Sequence, residues 1–239
     1  MNHRPVWLAG SMLIAALLAG GCERFNDRNG KAVSFARYDS VVIEEVTING
    51  EAPQQEIRNL TEGFLQYNLL VNEKWRRGGD WDPEQFARYL EAFVTTAGTL
   101  NGETLKPAMT REKFAERYAD QKEELAPYLG KARGTNPLRL RVHITRVDFP
   151  GNLEQIALGN KAEVRATVKA FGPMDAESLG TAQFKSIEGL PGLPLVPAAM
   201  ITRAALNAIF DQYTRKHVMD LAQNLSREIV AELDRARKR

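Results

Sequence analysis

The chain has 239 residues, of which 44 % are hydrophobic and 26 % are charged. This composition is globular, and it excludes a disordered chain, a collagen-like chain and a polytopic membrane protein. The 32 basic and 30 acidic residues leave a net charge of +2, so the overall charge gives no argument for a nucleic-acid partner. The one cysteine, Cys22, excludes an intramolecular disulfide framework and a Cys-rich zinc module.

The first 21 residues have the pattern of a secretory signal peptide. Arg4 supplies the charge, residues 6–19 form an apolar run, and Gly20 and Gly21 are small residues directly before Cys22. A membrane-spanning helix needs about 20 apolar residues, and this run is shorter. We therefore expect residues 1–21 to be removed as a signal peptide. The alternative is a membrane anchor that stays uncleaved.

The segment Leu18-Ala19-Gly20-Gly21-Cys22 resembles the lipobox of bacterial lipoproteins. The resemblance implies that the lipoprotein signal peptidase recognises the four residues before the cysteine, Leu18, Ala19, Gly20 and Gly21. It also implies that the Cys22 thiol receives a diacylglyceryl group and that the new amino terminus is acylated, for example with palmitate. Ala19 departs from the commonest pattern, in which leucine stands three residues before the cysteine.

The lipobox resemblance implies a place in the cell. Two or three acyl chains would hold the protein firmly on a membrane, because one chain gives only reversible attachment. The implied location is the bacterial cell envelope, facing the periplasm, with the outer membrane favoured over the inner membrane. Residues 22–36 are polar, and they predict a lipidated tether between the membrane and one folded domain, residues 37–239.

The domain begins with a predicted strand and a helical insertion. Residues 38–48 form a β-rich run with apolar residues on both faces, which favours a central position in a sheet. The insertion, at about residues 53–130, predicts three helices. One helix spans residues 53–73, the second is capped by Asp82, and the third is capped by Thr110.

A block of predicted strands follows. Residues 138–149 and 161–171 alternate apolar and polar side chains, and residues 181–187 return as the second half of a hairpin. A strict period of two predicts an antiparallel sheet that is packed on one face only.

The C-terminal segment predicts an amphipathic helix. Its apolar residues recur at spacings of three and four, and we expect them to face the sheet: Val218, Leu221, Leu225, Ile229 and Leu233. Arg227, Glu228 and Asp234 should lie outside. The alternative is an exposed stripe that docks a partner helix or the membrane surface.

The order of strand, helices, three strands and helix predicts an α+β fold. We expect a small, mostly antiparallel sheet that helices cover on one face, with a long C-terminal helix. In layout alone this order resembles several envelope lipoproteins of unknown function, the amino-terminal domain of TolB and the curli-secretion protein CsgG. That resemblance implies no activity.

The sequence carries no catalytic signature. H-E-x-x-H, G-x-S-x-G, the P-loop and G-x-G-x-x-G are all absent. His143 and His217 have no His or Cys neighbour at ligand spacing, so we expect surface or half-buried histidines. We therefore predict no catalytic residue, no metal ligand and no cofactor.

A turn between two tryptophans has two interpretations. Trp75 and Trp81 flank the basic, glycine-containing segment 76–80. As a functional site, this turn could stack on a sugar ring or lie at lipid headgroups. As structure, the tryptophans anchor two helices to the core, and this is the outcome that we expect.

The polar face of the predicted sheet is basic. Glu163 shares this face with five cations: Arg139, Arg141, Arg165, Lys169 and Lys185. A solvated face of this kind keeps a one-sided sheet soluble. The alternative is a surface for a partner that carries phosphate or carboxylate.

The proline-rich loop at residues 190–197 is a candidate partner-binding site. It holds four large apolar side chains: Leu190, Leu193, Leu195 and Val196. Loops usually lie at the surface, and a stiff loop loses less entropy when it binds. The alternative is that these side chains are tucked into the core over the edge of the sheet.

These features together predict a membrane-anchored, non-enzymatic envelope lipoprotein that acts as a binding, assembly or export accessory factor. Its partners would be the membrane, through the lipid on Cys22, and another envelope protein or component, with no nucleic acid. The alternative is a cell-wall hydrolase whose acid–base group is an Asp/Glu pair or His143.

Overall fold

The computed structural model describes residues 24–50, 52–100, 103–149, 162–188 and 215–239. No helix in these ranges is long and apolar enough to cross a membrane. The elements in chain order are β1 (Ser40–Ile48), α1 (Ala52–Val71), α2 (Pro83–Thr95), β2 (Gly98–Leu100), β3 (Glu103–Leu105), α3 (Arg111–Leu129), β4 (Pro137–Asp148), β5 (Ala162–Phe171), β6 (Gly180–Glu188) and α4 (Arg215–Lys238).

A four-stranded sheet in the order β1-β4-β5-β6 forms the centre of the fold. β1 runs parallel to β4, whereas β4, β5 and β6 pair antiparallel. β2 and β3 form a separate two-stranded sheet within the helical part of the chain. The predicted α+β class, with a small and mostly antiparallel sheet, is confirmed.

The predicted central position of β1 is wrong, because β1 lies at the edge of the sheet. The apolar pattern that suggested a central strand comes from a register shift between Ile43 and Glu45, where β1 holds one extra residue. Val41 and Val46 are both core residues although their positions differ by an odd number, and Ile43 packs against the same core. Apolar residues on apparently opposite faces of β1 therefore reach one core.

Helices α1 and α4 cover one face of the sheet. The side chains of β4 and β5 that point to these helices are at most 2 % exposed: Leu138, Leu140, Val142, Ile144, Ala162, Val164, Ala166, Val168 and Ala170. The predicted alternation on both strands is confirmed. Because every second side chain enters the core, the residues between them belong to the opposite face.

Helix α4 lies deep in the core. The predicted apolar stripe is at most 1 % exposed: Val218, Leu221, Leu225, Ile229 and Leu233. The prediction that this stripe faces the core is therefore confirmed. Arg227 is exposed, but Glu228 is partly buried and the Asp234 side chain is only 14 % exposed. Their predicted exposure is wrong, since α1 and the turn after it also pack against α4.

The caps predicted for α2 and α3 are confirmed. Oδ1 of Asp82 accepts hydrogen bonds from the backbone N–H groups of Glu84 and Gln85, at 2.9 and 3.1 Å. Oγ1 of Thr110 accepts one from the N–H of Lys113 at 3.4 Å. Each cap satisfies donors that an α-helix leaves free in its first turn.

From Phe25 onward, the segment for which the sequence predicts a tether packs against the sheet. Phe25 and Phe35 are fully buried, with ring centroids 5.1 Å apart, and Phe25 also lies 6.2 Å from Phe184. Asn26 exchanges two backbone hydrogen bonds with Thr181, at 3.1 and 2.9 Å. Residues 24–36 therefore belong to the folded body of the protein.

Several elements meet at one end of the sheet, here called the Ser40 end. Ser40 pairs with Pro137, the first residue of β4, and Ala170 near the end of β5 pairs with Gly180, the first residue of β6. Both covering helices also end there. The N–H of Phe35 donates to the carbonyl of Ala236 in α4, and the N–H of Arg76, just after α1, donates to the carbonyl of Asp39.

Candidate functional site

The face of the sheet opposite α1 and α4, here called the open face, carries the predicted basic residues. Arg141 stands opposite Lys169, and Arg165 stands opposite Lys185. The side chains of Arg141, Arg165 and Lys185 are about half exposed, at 51, 48 and 45 %. Like charges directly across a pair of strands destabilise the sheet, so this arrangement needs compensation.

Glu44 supplies part of that compensation. Its carboxylate accepts hydrogen bonds from Nη1 of Arg139 at 2.6 Å and from Nε of Arg141 at 2.8 Å. Burial raises the pKa of Glu44, but the two guanidinium groups outweigh that effect and hold the pKa below its usual value. Both guanidinium groups also lie over the ring of Phe171, at 5.9 and 4.7 Å from its centroid.

Glu163 compensates the second pair of facing cations, Arg165 and Lys185. Its carboxylate accepts hydrogen bonds from Arg165 and from Nζ of Lys185, the latter at 2.6 Å. Partial burial raises the pKa of Glu163, but the bonds from Lys185 and Arg165 lower it by more. Each of the two carboxylates thus joins a pair of cations from neighbouring positions on the open face.

The open face stays positive after these pairings. By strand register it holds six cations, the five predicted ones and Arg146, and four carboxylates, those of Glu44, Glu45, Asp148 and Glu163. Lys169 is exposed and forms no ion pair within the described ranges. A cation opposite another cation and without a carboxylate is available to an anionic group from outside the chain.

His143 lies on the open face among neutral groups. Its Nδ1 is 2.9 Å from Oγ1 of Thr47, and its Nε2 is 3.4 Å from Nδ2 of Asn49. This geometry is that of a half-buried surface histidine, as we expected from the sequence. In the part of the chain that the structure describes, no group of three or more His, Cys, Asp or Glu side chains could hold a metal ion.

The turn between the tryptophans is structural. Trp75 is 1 % exposed, and its indole N–H donates to Oδ1 of Asp234 at 2.8 Å. Oδ2 of Asp234 accepts from Nζ of Lys74 at 2.5 Å and from the Asn72 amide at 3.1 Å. The guanidinium of Arg237 covers the Trp75 ring at 4.7 Å. Trp75 therefore joins the turn after α1 to the end of α4.

The role of Asp234 was not predicted from the sequence, although a signal was present. The last turn of a helix favours cations, and α4 ends with Arg235, Arg237 and Lys238. An acidic residue directly before them is unfavourable unless it has a partner elsewhere. That partner is the group of donors formed by Asn72, Lys74 and Trp75.

A small pocket lies beside the same turn. Val41, Gln66, Leu69, Arg77 and Trp81 are among its lining residues, and its volume is about 20 Å³. This is room for about one water molecule. A sugar ring does not fit there, so the pocket gives no support to the sugar-stacking interpretation of the two tryptophans.

Asp39 organises the start of the β1–β4 pair. Its carboxylate accepts hydrogen bonds from the backbone N–H groups of Thr135 and Asn136, both at 2.9 Å, and from the hydroxyls of Thr135 and Ser40, both at 3.1 Å. Burial raises the pKa of Asp39, but these four donors together lower it to about 2. The charged carboxylate thus holds the residues before β4 against the beginning of β1.

We expect Asp39 to give the domain an acid-sensitive contribution to stability. Because the folded state lowers the pKa of Asp39, the contribution is fully present above its ordinary value of 3.8 and is lost as the pH falls towards about 2. Asp39→Asn should lower the free energy of unfolding by about 1–3 kcal/mol at pH 7. The difference between the wild type and the variant should shrink between pH 4 and pH 2, as measured by urea unfolding.

Asp175 provides a control for this measurement. Its side chain is exposed. The described hydrogen bonds of Asp175 involve its backbone, since its carbonyl accepts from Arg139 and its N–H donates to the carbonyl of Gly172. Asp175→Asn should leave stability within about 0.5 kcal/mol at every pH. A pH-independent difference for Asp39→Asn would show that the charge of Asp39 is not what stabilises the pair.

Two sets of predicted site residues lie outside the described residues. One set is Cys22 with its proposed recognition residues Leu18, Ala19, Gly20 and Gly21, and the other is the apolar loop with Leu190, Leu193, Leu195 and Val196. Both stay predictions.

No protein-family model and no curated protein matches the chain. Similar solved structures include the PelC dodecamer from Paraburkholderia phytofirmans, with 10 % identity, a TM-score of 0.27, and coverage of 82 % of this chain and 94 % of that chain. Another is a Xanthomonas campestris protein with the family model DUF330, with 10 % identity, a TM-score of 0.21, and coverage of 86 % and 94 %. At these TM-scores neither likeness assigns a function to this chain.

Proposed function

We propose that this chain is a lipid-anchored protein of the bacterial cell envelope that binds a partner and does not itself catalyse a reaction. The observation that carries the proposal is the segment Leu18–Cys22, which places the only cysteine of the chain directly after an apolar run and small residues. In this function the thiol of Cys22 is consumed by the lipid, so it is neither a nucleophile nor a metal ligand. The folded domain then stands on the membrane as a binding module for envelope assembly or export.

The open face is the binding surface within this proposal. Its excess of cations suits a partner that carries carboxylates or phosphates, such as an acidic envelope protein or glycan. Glu44 and Glu163 hold four of the six cations in fixed positions, Asp148 pairs with Arg146, and Lys169 remains free of ion pairs within the described ranges. Cations that are already positioned lose little side-chain entropy when the partner arrives.

Cys22→Ser is expected to abolish lipid attachment completely, because serine has no thiol to receive the diacylglyceryl group. The measurement is the mass of the amino-terminal peptide from purified membranes. The wild-type peptide should begin at Cys22 and carry the mass of two or three acyl chains. Ala32→Ser, an exposed position in the same segment, is the control and should be processed like the wild type. An unmodified Cys22, or a mature chain that begins elsewhere, would refute the anchor.

We expect a photocrosslinker at the exposed residue Gln183 of the open face to capture the partner in cells. Lys169→Glu should lower the yield by roughly three- to tenfold, because an exposed charge contributes up to about 1 kcal/mol and its reversal replaces attraction by repulsion. The matched control is Lys113→Glu on the exposed side of α3, which should leave the yield unchanged. Equal yields in both variants would place the partner elsewhere on the domain.

A further inference from the structure

The position of Phe25 limits how far Cys22 can lie from the folded domain. Phe25 is fully buried beside Phe184 of β6 and beside Phe35, whose N–H donates to Ala236 at the Ser40 end. Only Glu23 and Arg24 separate it from Cys22, and three residue steps of extended chain span at most about 11 Å. A lipid on Cys22 would therefore keep the bilayer within reach of the amino-terminal segment, whose turn at residues 27–31 lies beside the β5–β6 turn at the Ser40 end.

The opposite end of the domain lies far from the Ser40 end. Helix α4 has 24 residues and runs from Arg215 to Lys238, which is a length of about 36 Å. Its last turn contacts Phe35 at the Ser40 end. Its first residue, Arg215, is bound to Glu56 and to the carbonyl of Ala97, near the beginning of α1 and the end of α2.

The Ser40 end is rich in exposed cations. The amino-terminal segment and the last turn of α4, which touch through the Phe35–Ala236 hydrogen bond, supply seven of them: Arg24, Arg28, Lys31, Arg37, Arg235, Lys238 and Arg239. The helix dipole explains why α4 ends in cations, but it does not explain the four in the amino-terminal segment.

Among the residues that the structure describes, the carboxylates of the same two segments are already engaged. Glu232 is fully buried and paired with Arg235 and Arg239, and Asp234 is paired with Lys74. Oδ1 of Asp27 accepts hydrogen bonds from backbone N–H groups of its own turn. Four of the seven exposed cations form no ion pair within the described ranges: Arg24, Lys31, Arg37 and Lys238.

An exposed apolar side chain lies at the same end. Met174 is 94 % exposed in the turn between β5 and β6, and this turn touches the amino-terminal segment through the Arg28–Glu177 ion pair. A large apolar side chain left almost entirely in water is unfavourable unless another surface covers it. Beside a lipid anchor, the surface available is the bilayer interface.

We propose that the Ser40 end docks directly on anionic phospholipid headgroups, with the exposed cations at the phosphates and Met174 in the headgroup layer. This inference rests on the lipid anchor of the proposed function. Each Lys or Arg close to an anionic membrane strengthens attachment about fivefold, so the four unpaired cations favour the docked orientation strongly. In that orientation the strands stand on the membrane and the open face points sideways, where a partner in the periplasm reaches it.

The test compares two positions on α4 in the lipidated protein. Lys238→Cys and Lys216→Cys each introduce one reactive thiol, since lipid blocks the native cysteine, and both positions are exposed. Each variant carries a fluorophore in vesicles that contain phosphatidylglycerol and a quencher on the lipid headgroups. We expect strong quenching at position 238 and none at position 216. In phosphatidylcholine vesicles, or at high salt, the quenching at position 238 should fall.

A charge variant tests the cause of the docking. Arg24→Gln combined with Lys31→Gln should lower the ratio of docked to undocked protein by roughly 20-fold. Lys113→Gln combined with Arg117→Gln removes the same charge from the exposed side of α3, far from the Ser40 end, and should change nothing.

The mass of the amino-terminal peptide from the same preparation separates the possible failures. A chain without lipid on Cys22 would overturn the anchor and, with it, the docking. A lipidated chain in which positions 216 and 238 are quenched equally, or in which the lipid composition has no effect, would overturn the docking alone.

Discussion

Leu225→Ala should lower the free energy of unfolding by about 2–5 kcal/mol. Leu225 is fully buried in the middle of α4, and the next residue, Ser226, donates a hydrogen bond to the carbonyl of Thr61 in α1. Removing the side chain therefore leaves a cavity at the contact between the two helices that cover the sheet. Alanine is the best helix former, so the loss reports packing and not helix propensity.

Urea or thermal unfolding measures this effect. A domain of this size has about 5–15 kcal/mol of stability, and its midpoint falls by about 2–4 °C for each kcal/mol lost. Arg227→Ala, on the exposed side of the same helix, is the control and should stay within about 0.5 kcal/mol of the wild type. If Leu225→Ala unfolded at the wild-type midpoint, the core assignment of α4 would be wrong.

Trp75→Ala should be at least as damaging, with a loss of about 3–5 kcal/mol. The substitution empties a site that is 1 % exposed, removes the ring below Arg237 and takes one donor from Asp234. Trp75→Phe keeps an aromatic ring but has no N–H, so it should cost less, about 1–3 kcal/mol for the lost hydrogen bond to a charged group.

A double-mutant cycle isolates the bond between Trp75 and Asp234. The effects of Trp75→Phe and Asp234→Ala on the free energy of unfolding should not add, because each substitution alone breaks the same contact. Trp75→Phe combined with Arg227→Ala supplies the additive comparison, since Arg227 is exposed. Additivity in the first pair would mean that the indole N–H contributes nothing to stability.

The sheet and its core helix were predictable because their patterns are local and strict. The alternation in β4 and β5, and the three–four spacing in α4, each identify the buried side chains without knowledge of the partner element. The caps at Asp82 and Thr110 are local in the same sense, since a cap and the helix that it caps lie within a few residues.

The features that the sequence did not predict depend on contacts between residues that are far apart in the chain. Apolar residues appear on both faces of β1 because of an irregularity near Glu44, so the alternation pattern predicted a central strand where the structure has an edge strand. Phe25 and Phe35 stand in a polar stretch, and only their contacts with Phe184 and with Ala236 make that stretch part of the fold. The candidate site was partly predictable. The cations of the open face follow from alternation, whereas their pairing with Glu44 depends on a second strand.

The contact between Phe35 and Ala236 joins residues about 200 positions apart. The β1–β4 pair likewise joins segments nearly 100 positions apart, as in the contact between Asp39 and Asn136. Distant pairings of this kind make folding slow, because a long loop must close before its contacts stabilise anything. The strand pairs β4–β5 and β5–β6 close over much shorter stretches, so they can form first and act as a template. The amino-terminal segment is synthesised early, yet it reaches its final place only after α4 has been made.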